Sequence, residues 1–216
     1  MVRNESGGLS PKQEKSQNKL VELVVIVVFA LLLAFLIQAF LVKTYRIPSG
    51  SMEPTLAVGE RVLVNRIGNN FGDPKVGDIL VFHPPRGADT NECGRPGQGP
   101  FYDGPQSRIP CSESTPDRSD QNFIKRVVAG PGDRVAIRDG RVVLNGRLQK
   151  DSFINACGNG ADCNLGTITM PRDQYFMMGD NRGESDDSRY WGPIKRDWVI
   201  GGAFASYWPP KRVGPL

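Results

Sequence analysis

The stretch RVAIRDGRVVLN, residues 134–145, decides what kind of chain this is. Two runs rich in β-branched residues, RVAIR and RVVLN, flank the dipeptide Asp139-Gly140. Asp-Gly accepts the positive φ at both central positions of a type I′ turn, whose twist matches that of the strands it joins. The stretch therefore reads as a tight antiparallel hairpin. Working outward, ERVLV (60–64), DILVF (78–82), QYFMM (174–178) and WVIGGAFASYW (198–208) read as further strands. With 25 Gly and 17 Pro in 216 residues the chain is dense in turn formers, which favours an all-β body of antiparallel sheets. No internal repeat interrupts this pattern. Residues 84–122 hold twelve Gly or Pro with little hydrophobic patterning and read as a long inserted surface loop.

Ahead of the β body lies LVVIVVFALLLAFLIQAFLV, residues 23–42, apolar except for Gln38. Twenty residues at helical rise span about 30 Å, the thickness of a bilayer's hydrocarbon core. The run exceeds the apolar core of a cleavable signal peptide, and no small-x-small site followed by a polar start succeeds it. It is expected to be a single N-terminal transmembrane helix anchoring the chain in the lipid bilayer. Residues 1–22 form a polar segment that reads as loose, with Ser10-Pro11-Lys12-Gln13 suited to cap a helix start. Lys12, Lys15 and Lys19 precede the span and Lys43 and Arg46 follow it, a slight bias toward a cytoplasmic N-terminus. Residues 43–216 would then be an extracytoplasmic domain on the plasma or inner membrane. Cys93, Cys111, Cys157 and Cys163 all fall in that part. Four cysteines allow three pairings, and proximity favours 93 with 111 and 157 with 163. Disulfides fit an oxidising compartment. The net charge of +4 is modest and contains no like-charge block, so nucleic acid is not expected as a partner.

Three segments carry chemistry. YRIPSGSMEPTL, residues 45–56, places Ser49, Gly50 and Ser51 between Pro48 and Pro54, a turn built to hold a hydroxyl in place. A serine nucleophile ordinarily needs a histidine base, and the single histidine, His83, ends a strand before Pro84-Pro85 and reads as a solvated surface residue. A lysine can serve instead if it is neutral, against a deficit of about 4 to 5 kcal/mol at neutral pH that burial among apolar groups reduces. NFIKRVVAGPGD, residues 122–133, offers one: on a strand Lys125 shares its face with Phe123 and Val127, while Arg126 points the other way with Ile124 and Val128. An edge-strand lysine guarding against aggregation would read the same way. In FMMGDNRGESDDSRYWG, residues 176–192, Ser185, Asp187 and Arg189 follow at i, i+2 and i+4. If extended they share a face, Asp187 pairing with Arg189 while Ser185 positions an amine. The acidic spacing does not fit a calcium loop, no C-x₂₋₄-C pair suits zinc, and no metal or other cofactor is expected.

Taken in order, IPSGSMEPTL, GDILVF, IKRVVAGPGD and MGDNRGESDDSRYWG behind one apolar span resemble the bacterial type I signal peptidases, over about residues 20–208. The resemblance implies a serine endopeptidase that removes signal peptides from preproteins by cutting after small-x-small sites. It implies Ser51 as nucleophile, Lys125 as general base, Ser49 as a hydroxyl donor to the oxyanion, Ser185 as the lysine-orienting serine, and Asp187 with Arg189 as its supporting ion pair. It also implies a substrate-binding wall of Tyr45, Ile47, Met52, Leu56, Val81 and Ile124, with Phe82, Phe123 and Met177 keeping the lysine dry. The chain departs from the family in having Ala129-Gly130 where Gly-Leu is usual, and residues 84–122 and 151–169 match no motif. A self-cleaving repressor of the same fold is disfavoured by the membrane span. A silent binding protein on this scaffold would have no need of the intact serine and lysine.

Overall fold

The computed structural model describes residues 11–66, 72–100, 108–158 and 161–216. The cap expected at Ser10, residues 1–10 of the polar segment and residues 101–107 of the insert lie outside them. The chain divides into two compact units, Met1–Leu41 and Val42–Leu216.

The first unit contains one long helix, α1 (Pro11–Phe40). Residues 11–22, expected to be loose, belong to it. Pro11 stands at its first position, where a missing N–H costs nothing, and Lys, Gln, Glu and Leu follow, all good helix formers. Its described apolar side chains from Leu23 to Leu33 are exposed. Among the described residues, no helix is long and apolar enough to cross a membrane. The expected span overran the helix: Val42 already belongs to β1 (Val42–Arg46), a strand the reading did not anticipate, where it pairs with Asn65.

The second unit is built from antiparallel sheets. After β1 come β2 (Arg61–Asn65), β3 (Ile79–Phe82), β4 (Phe123–Ala129), β5 (Arg134–Arg138), β6 (Arg141–Leu144), β7 (Arg147–Leu148), β8 (Leu165–Thr169) and β9 (Gln174–Met178). The short helix α2 (Ser188–Trp191), then β10 (Ile194–Lys195), β11 (Val199–Trp208) and β12 (Gly214–Pro215) complete the chain. Among the described residues the larger sheet has the order β1-β2-β11-β3-β4-β9-β10, with β12 on β11, and the smaller one β7-β6-β5-β8. The hairpin expected around Asp139-Gly140 is β5–β6, with Asp139 and Gly140 both at positive φ, 49° and 73°. β8 had no sequence signal, because Leu165-Gly-Thr-Ile-Thr sits in a segment dominated by its cysteines and polar residues.

Alternation along the strands sorts the core. Ile79 and Val81 of β3 point into a cluster with Ile47, Met52, Leu56, Val62 and Val64, while Leu80 and Phe82 join Val127, Met177, Trp191 and Trp198 on the opposite face. A third cluster, including Val128, Val135, Ile137, Leu165, Phe176 and Met178, draws on both sheets. Each such aliphatic or aromatic side chain contributes about 1.5–3 kcal/mol on burial. This packing fixes the register that the site depends on: a slip of one residue on β4 would exchange Lys125 for Ile124.

Candidate active site

Lys125 lies at the third position of β4, opposite Leu80 of β3. It shares its face with Phe123 and Val127, as the alternation implied. The directly paired residues Phe82, opposite Phe123, and Met177, opposite Val127, extend the same apolar face. The side chain is 5 % exposed, and its Nζ stands 5.9 Å from the centre of the Phe123 ring. Burial removes the water an ammonium needs and lowers the amine's pKa from 10.5 to about 8, against the pull of Asp187, Asp186 and Asp180, while Arg189 adds to the lowering.

Lys125 Nζ lies 2.6 Å from Ser51 Oγ. Ser51 occupies a 3-10 turn, Gly50–Met52, entered from extended Ser49, and is 8 % exposed. The Ser49 hydroxyl donates to Ser51 Oγ over 3.4 Å. The turn is tied down from far along the chain. Asn181 N donates to Ser51 O and Asn181 Nδ2 to Gly50 O, each over 3.1 Å. Gly179 makes this approach possible: a Cβ there would run into the Ser51 carbonyl oxygen and the Ser185 hydroxyl. Asp180, fully buried, receives Arg126 Nε and Nη2 at 2.9 and 2.7 Å and Thr55 Oγ1 at 2.5 Å. It thereby links the strand carrying Lys125 to the loop that follows Ser51. Gly179, Asp180 and Asn181 were matched only as part of a motif, and neither they nor Arg126 and Thr55 were given a role from the sequence. The signal was present in the arginine adjoining Lys125 and in the polar run that begins where the apolar QYFMM strand ends.

The segment holding Ser185, Asp187 and Arg189 is not extended. Asp187 caps α2, its Oδ1 accepting from Arg189 N at 3.2 Å, so a helical turn, not a strand, brings the residues together. The ion pair forms nonetheless: Arg189 Nε and Nη2 meet the two Asp187 oxygens at 2.8 and 3.0 Å, with both side chains fully buried. Burial pushes the Asp187 carboxyl up, but Arg189, Lys125 and the Gly179 amide together outweigh it and hold the carboxyl below its ordinary value. Ser185 is buried, and its hydroxyl has no hydrogen-bond partner among the described residues. The expected contact to the amine is not made, because Lys125 Nζ is engaged with Ser51 Oγ and Gly179 lies between Ser185 and the Ser51 backbone.

A cleft of about 520 Å³ opens over Ser49, Ser51 and Lys125, and Tyr45, Ile47, Val81 and Ile124 line it. Met52 and Leu56, expected in the wall, are completely buried in the cluster that includes Ile47 and Val81, and shape the cleft from behind. His83 follows β3, with its Nδ1 3.1 Å from the Gln121 carbonyl oxygen. The cysteines are joined as Cys93–Cys111 and Cys157–Cys163. A buried serine hydroxyl in contact with a desolvated amine, beside a largely apolar cleft, is an arrangement able to perform acyl transfer.

The family model "Signal peptidase, peptidase S26" matches residues 20–208. A probable signal peptidase I-2 of Synechocystis sp. is 34 % identical over 205 residues, covering 95 % of this chain and 81 % of its own. The signal peptidase I of Leptolyngbya laminosa is 33 % identical over 204 residues, covering 94 % and 87 %. A solved signal peptidase I from Enterococcus faecalis is 26 % identical, covers 61 % of this chain and 97 % of its own, and superposes with a TM-score of 0.41. A family model spanning nearly the whole β body, and relatives a third identical along almost the full length, place the chain in the signal peptidase family, peptidase S26, as a hydrolase of that family.

Proposed function

We propose that the chain is a membrane-anchored serine endopeptidase that frees secreted preproteins of their signal peptides, with Ser51 as nucleophile and Lys125 as general base. The observation that carries the reading is the 2.6 Å contact between Lys125 Nζ and Ser51 Oγ, both side chains being buried. With its pKa lowered to about 8, the amine is neutral in about one molecule in ten at pH 7, where an ordinary lysine would be neutral in about one in three thousand. The neutral amine takes the Ser51 proton as the hydroxyl oxygen attacks the substrate carbonyl. The resulting oxyanion would be met by the Ser51 backbone N–H and the Ser49 hydroxyl. Lys125 then returns the proton to the leaving amine and later removes one from the water that hydrolyses the acyl-enzyme.

Supporting roles follow from the same geometry. Asp187 and Arg189 brace the segment beside Lys125. The Ser185 hydroxyl, buried and without a partner among the described residues, would orient the amine once the serine is acylated. Tyr45, Ile47, Val81 and Ile124, backed by Met52 and Leu56, would form shallow apolar subsites that admit only small side chains, giving cleavage after small-x-small sequences. The apolar run 23–42 would anchor the enzyme in the plasma or inner membrane, N-terminus cytoplasmic and residues 43–216 outside. Exposed apolar side chains along α1 and the two disulfides support that placement. Anchoring would raise the effective concentration of substrates emerging in the same plane.

The test is processing of a detergent-solubilised preprotein by the wild type, Ser51→Ala and Lys125→Ala. Cleavage by the wild type alone is expected. Equal cleavage by all three would refute Ser51 and Lys125 as the catalytic pair, and cleavage by none would leave a binding protein on a peptidase scaffold.

A further inference from the structure

We propose that Asp162 is a positioning residue for the Lys125 amine, acting through Arg189 and Asp187, and that the Cys157–Cys163 bond holds it there. The inference rests on the reading of Lys125 as the base, and extends it to a segment, 151–169, that matched no motif.

The geometry is that of a guanidinium gripped from two sides. Arg189 gives Nε and Nη2 to the two oxygens of Asp187, at 2.8 and 3.0 Å, and Nη1 to Asp162 Oδ2 at 2.9 Å. Its Nη2 also reaches the Ser185 carbonyl at 3.0 Å. Asp187 in turn accepts from the amide of Gly179, the residue packed against Ser51. The chain of contacts therefore runs from Asp162 to Arg189, Asp187, Gly179 and the serine turn, entirely through buried or nearly buried groups. In such surroundings a guanidinium left with Asp187 alone has an unmet N–H donor at Nη1, and its fork on Asp187 is less firmly fixed in orientation.

Asp162 does not reach Arg189 by chance of a mobile loop. It lies in the 3-10 turn Ala161–Cys163, inside the loop closed by the Cys157–Cys163 disulfide. Both cysteines are seated on the β5–β6 turn, where Gly140 N donates to Cys163 O at 2.9 Å and a Cβ on Gly140 would strike Cys157. Arg182 Nη1 fastens the same turn through the Gly140 carbonyl at 2.6 Å. From another side, Cys111 N of the first disulfide donates to Arg189 O at 3.0 Å. Cys157, Asp162 and Cys163 are metal-ligating residue types within reach of one another, but the sulfurs are bonded together and the carboxylate is committed to Arg189.

The charges around both ends give the sign of the effect. Asp187, Asp186 and Asp180 favour the proton on Lys125, and Arg189 disfavours it. Asp162 faces Arg189 and the phenol of Tyr190. Removing the Asp162 charge leaves Arg189 less neutralised, so the amine loses its proton more easily, while the looser Asp187–Arg189 fork misplaces it.

The experiment uses the full chain in detergent and compares the wild type with Asp162→Asn, Asp162→Glu, the double variant Cys157→Ser/Cys163→Ser, the triple combination and Lys125→Ala. For Asp162→Asn we expect kcat to fall on the order of tenfold with KM little changed, and the acid limb of the rate profile to move to lower pH. Asp162→Glu should restore the position of that limb. The cysteine double variant should lose a similar factor, and the triple variant no more than either, since both act on one contact. Wild-type kcat and an unmoved limb in Asp162→Asn, with Lys125→Ala inactive, would overturn this inference and leave the Ser51–Lys125 reading standing. A lower melting temperature with an unmoved limb would likewise overturn it, making Asp162 structural only. Wild-type activity in Lys125→Ala would overturn the underlying reading instead.

Discussion

Lys125→Met should make the protein more stable at neutral pH and less stable than the wild type at high pH. The side chains are similar in length and apolar stem, so the packing on Phe123 and Val127 is kept. What changes is an amine that prefers to be charged in the unfolded chain, at about 10.5, and to be neutral in the folded one, above about 8. A group whose folded pKa is depressed in this way opposes folding wherever the unfolded chain is protonated, fully below pH 8 and vanishing above 10.5. The opposition amounts to about 3 kcal/mol at pH 7, about 2 kcal/mol at pH 9 and under about 0.5 kcal/mol at pH 10.5. Methionine also forfeits the hydrogen bond to Ser51, worth about 1 kcal/mol. The variant should therefore gain about 2 kcal/mol at pH 7 and about 1 kcal/mol at pH 9, and fall slightly below the wild type at pH 10.5. Urea titrations in mild detergent across that range read it directly: at a slope of about 2 kcal/mol per molar, the midpoint should rise by about 1 M at pH 7. A midpoint difference that is independent of pH, or a variant destabilised at pH 7, would show that the amine is not held in a dry site.

Other outcomes follow from the same geometry. If Lys125 is the base, as proposed, single-turnover cleavage should rise tenfold per pH unit from pH 5 and level off near pH 8, since only a neutral amine can accept the serine proton; a profile flat from pH 5 to 10 contradicts this. Gly179→Ala should cost about 1–3 kcal/mol in denaturant titrations and on the order of tenfold in kcat, since its methyl meets the Ser51 carbonyl and the Ser185 hydroxyl. Asp187→Asn should cost about 3–5 kcal/mol at pH 7 by leaving the buried Arg189 half-paired. Because the folded Asp187 carboxyl sits below its ordinary value, the stability it brings is present at neutral pH and fades as pH falls below 4; urea midpoints of wild type and variant should converge there.

Much of the body was legible because it rests on local rules. Asp139-Gly140 dictates its turn, β9 begins and ends where QYFMM does, and the period of two along β4 correctly set Lys125 on the face of Phe123 and Val127. The backbone of 185–189 was left open since a side-chain cap, not periodicity, organises it: Asp187 accepts from Arg189 N and starts a helical turn. The same pairing partners result either way, which is why the ion pair was foreseen although its backbone was not. Asp180 and Arg126 are 54 residues apart in the chain and Thr55 is 125 residues from Asp180, so no window of sequence displays their convergence. Asp162 was hidden for the same reason, in a segment whose only visible feature was a pair of cysteines. Met52 and Leu56 had the right chemistry for a binding wall, and only packing tells a lining side chain from one that supports it.

The order of strands in the larger sheet has a consequence for when the chain becomes an enzyme. The serine turn follows β1 and precedes β2, the lysine is on β4, and in the sheet these two halves meet only through β11, the last long strand to be synthesised. Until residues 199–208 have entered between β2 and β3, nothing in the sheet brings hydroxyl and amine to a common register. A nascent or truncated chain therefore has only the loop contacts of Asn181 and Asp180 to hold the two groups together, and the proposed pair gains its sheet framework only when β11 is in place.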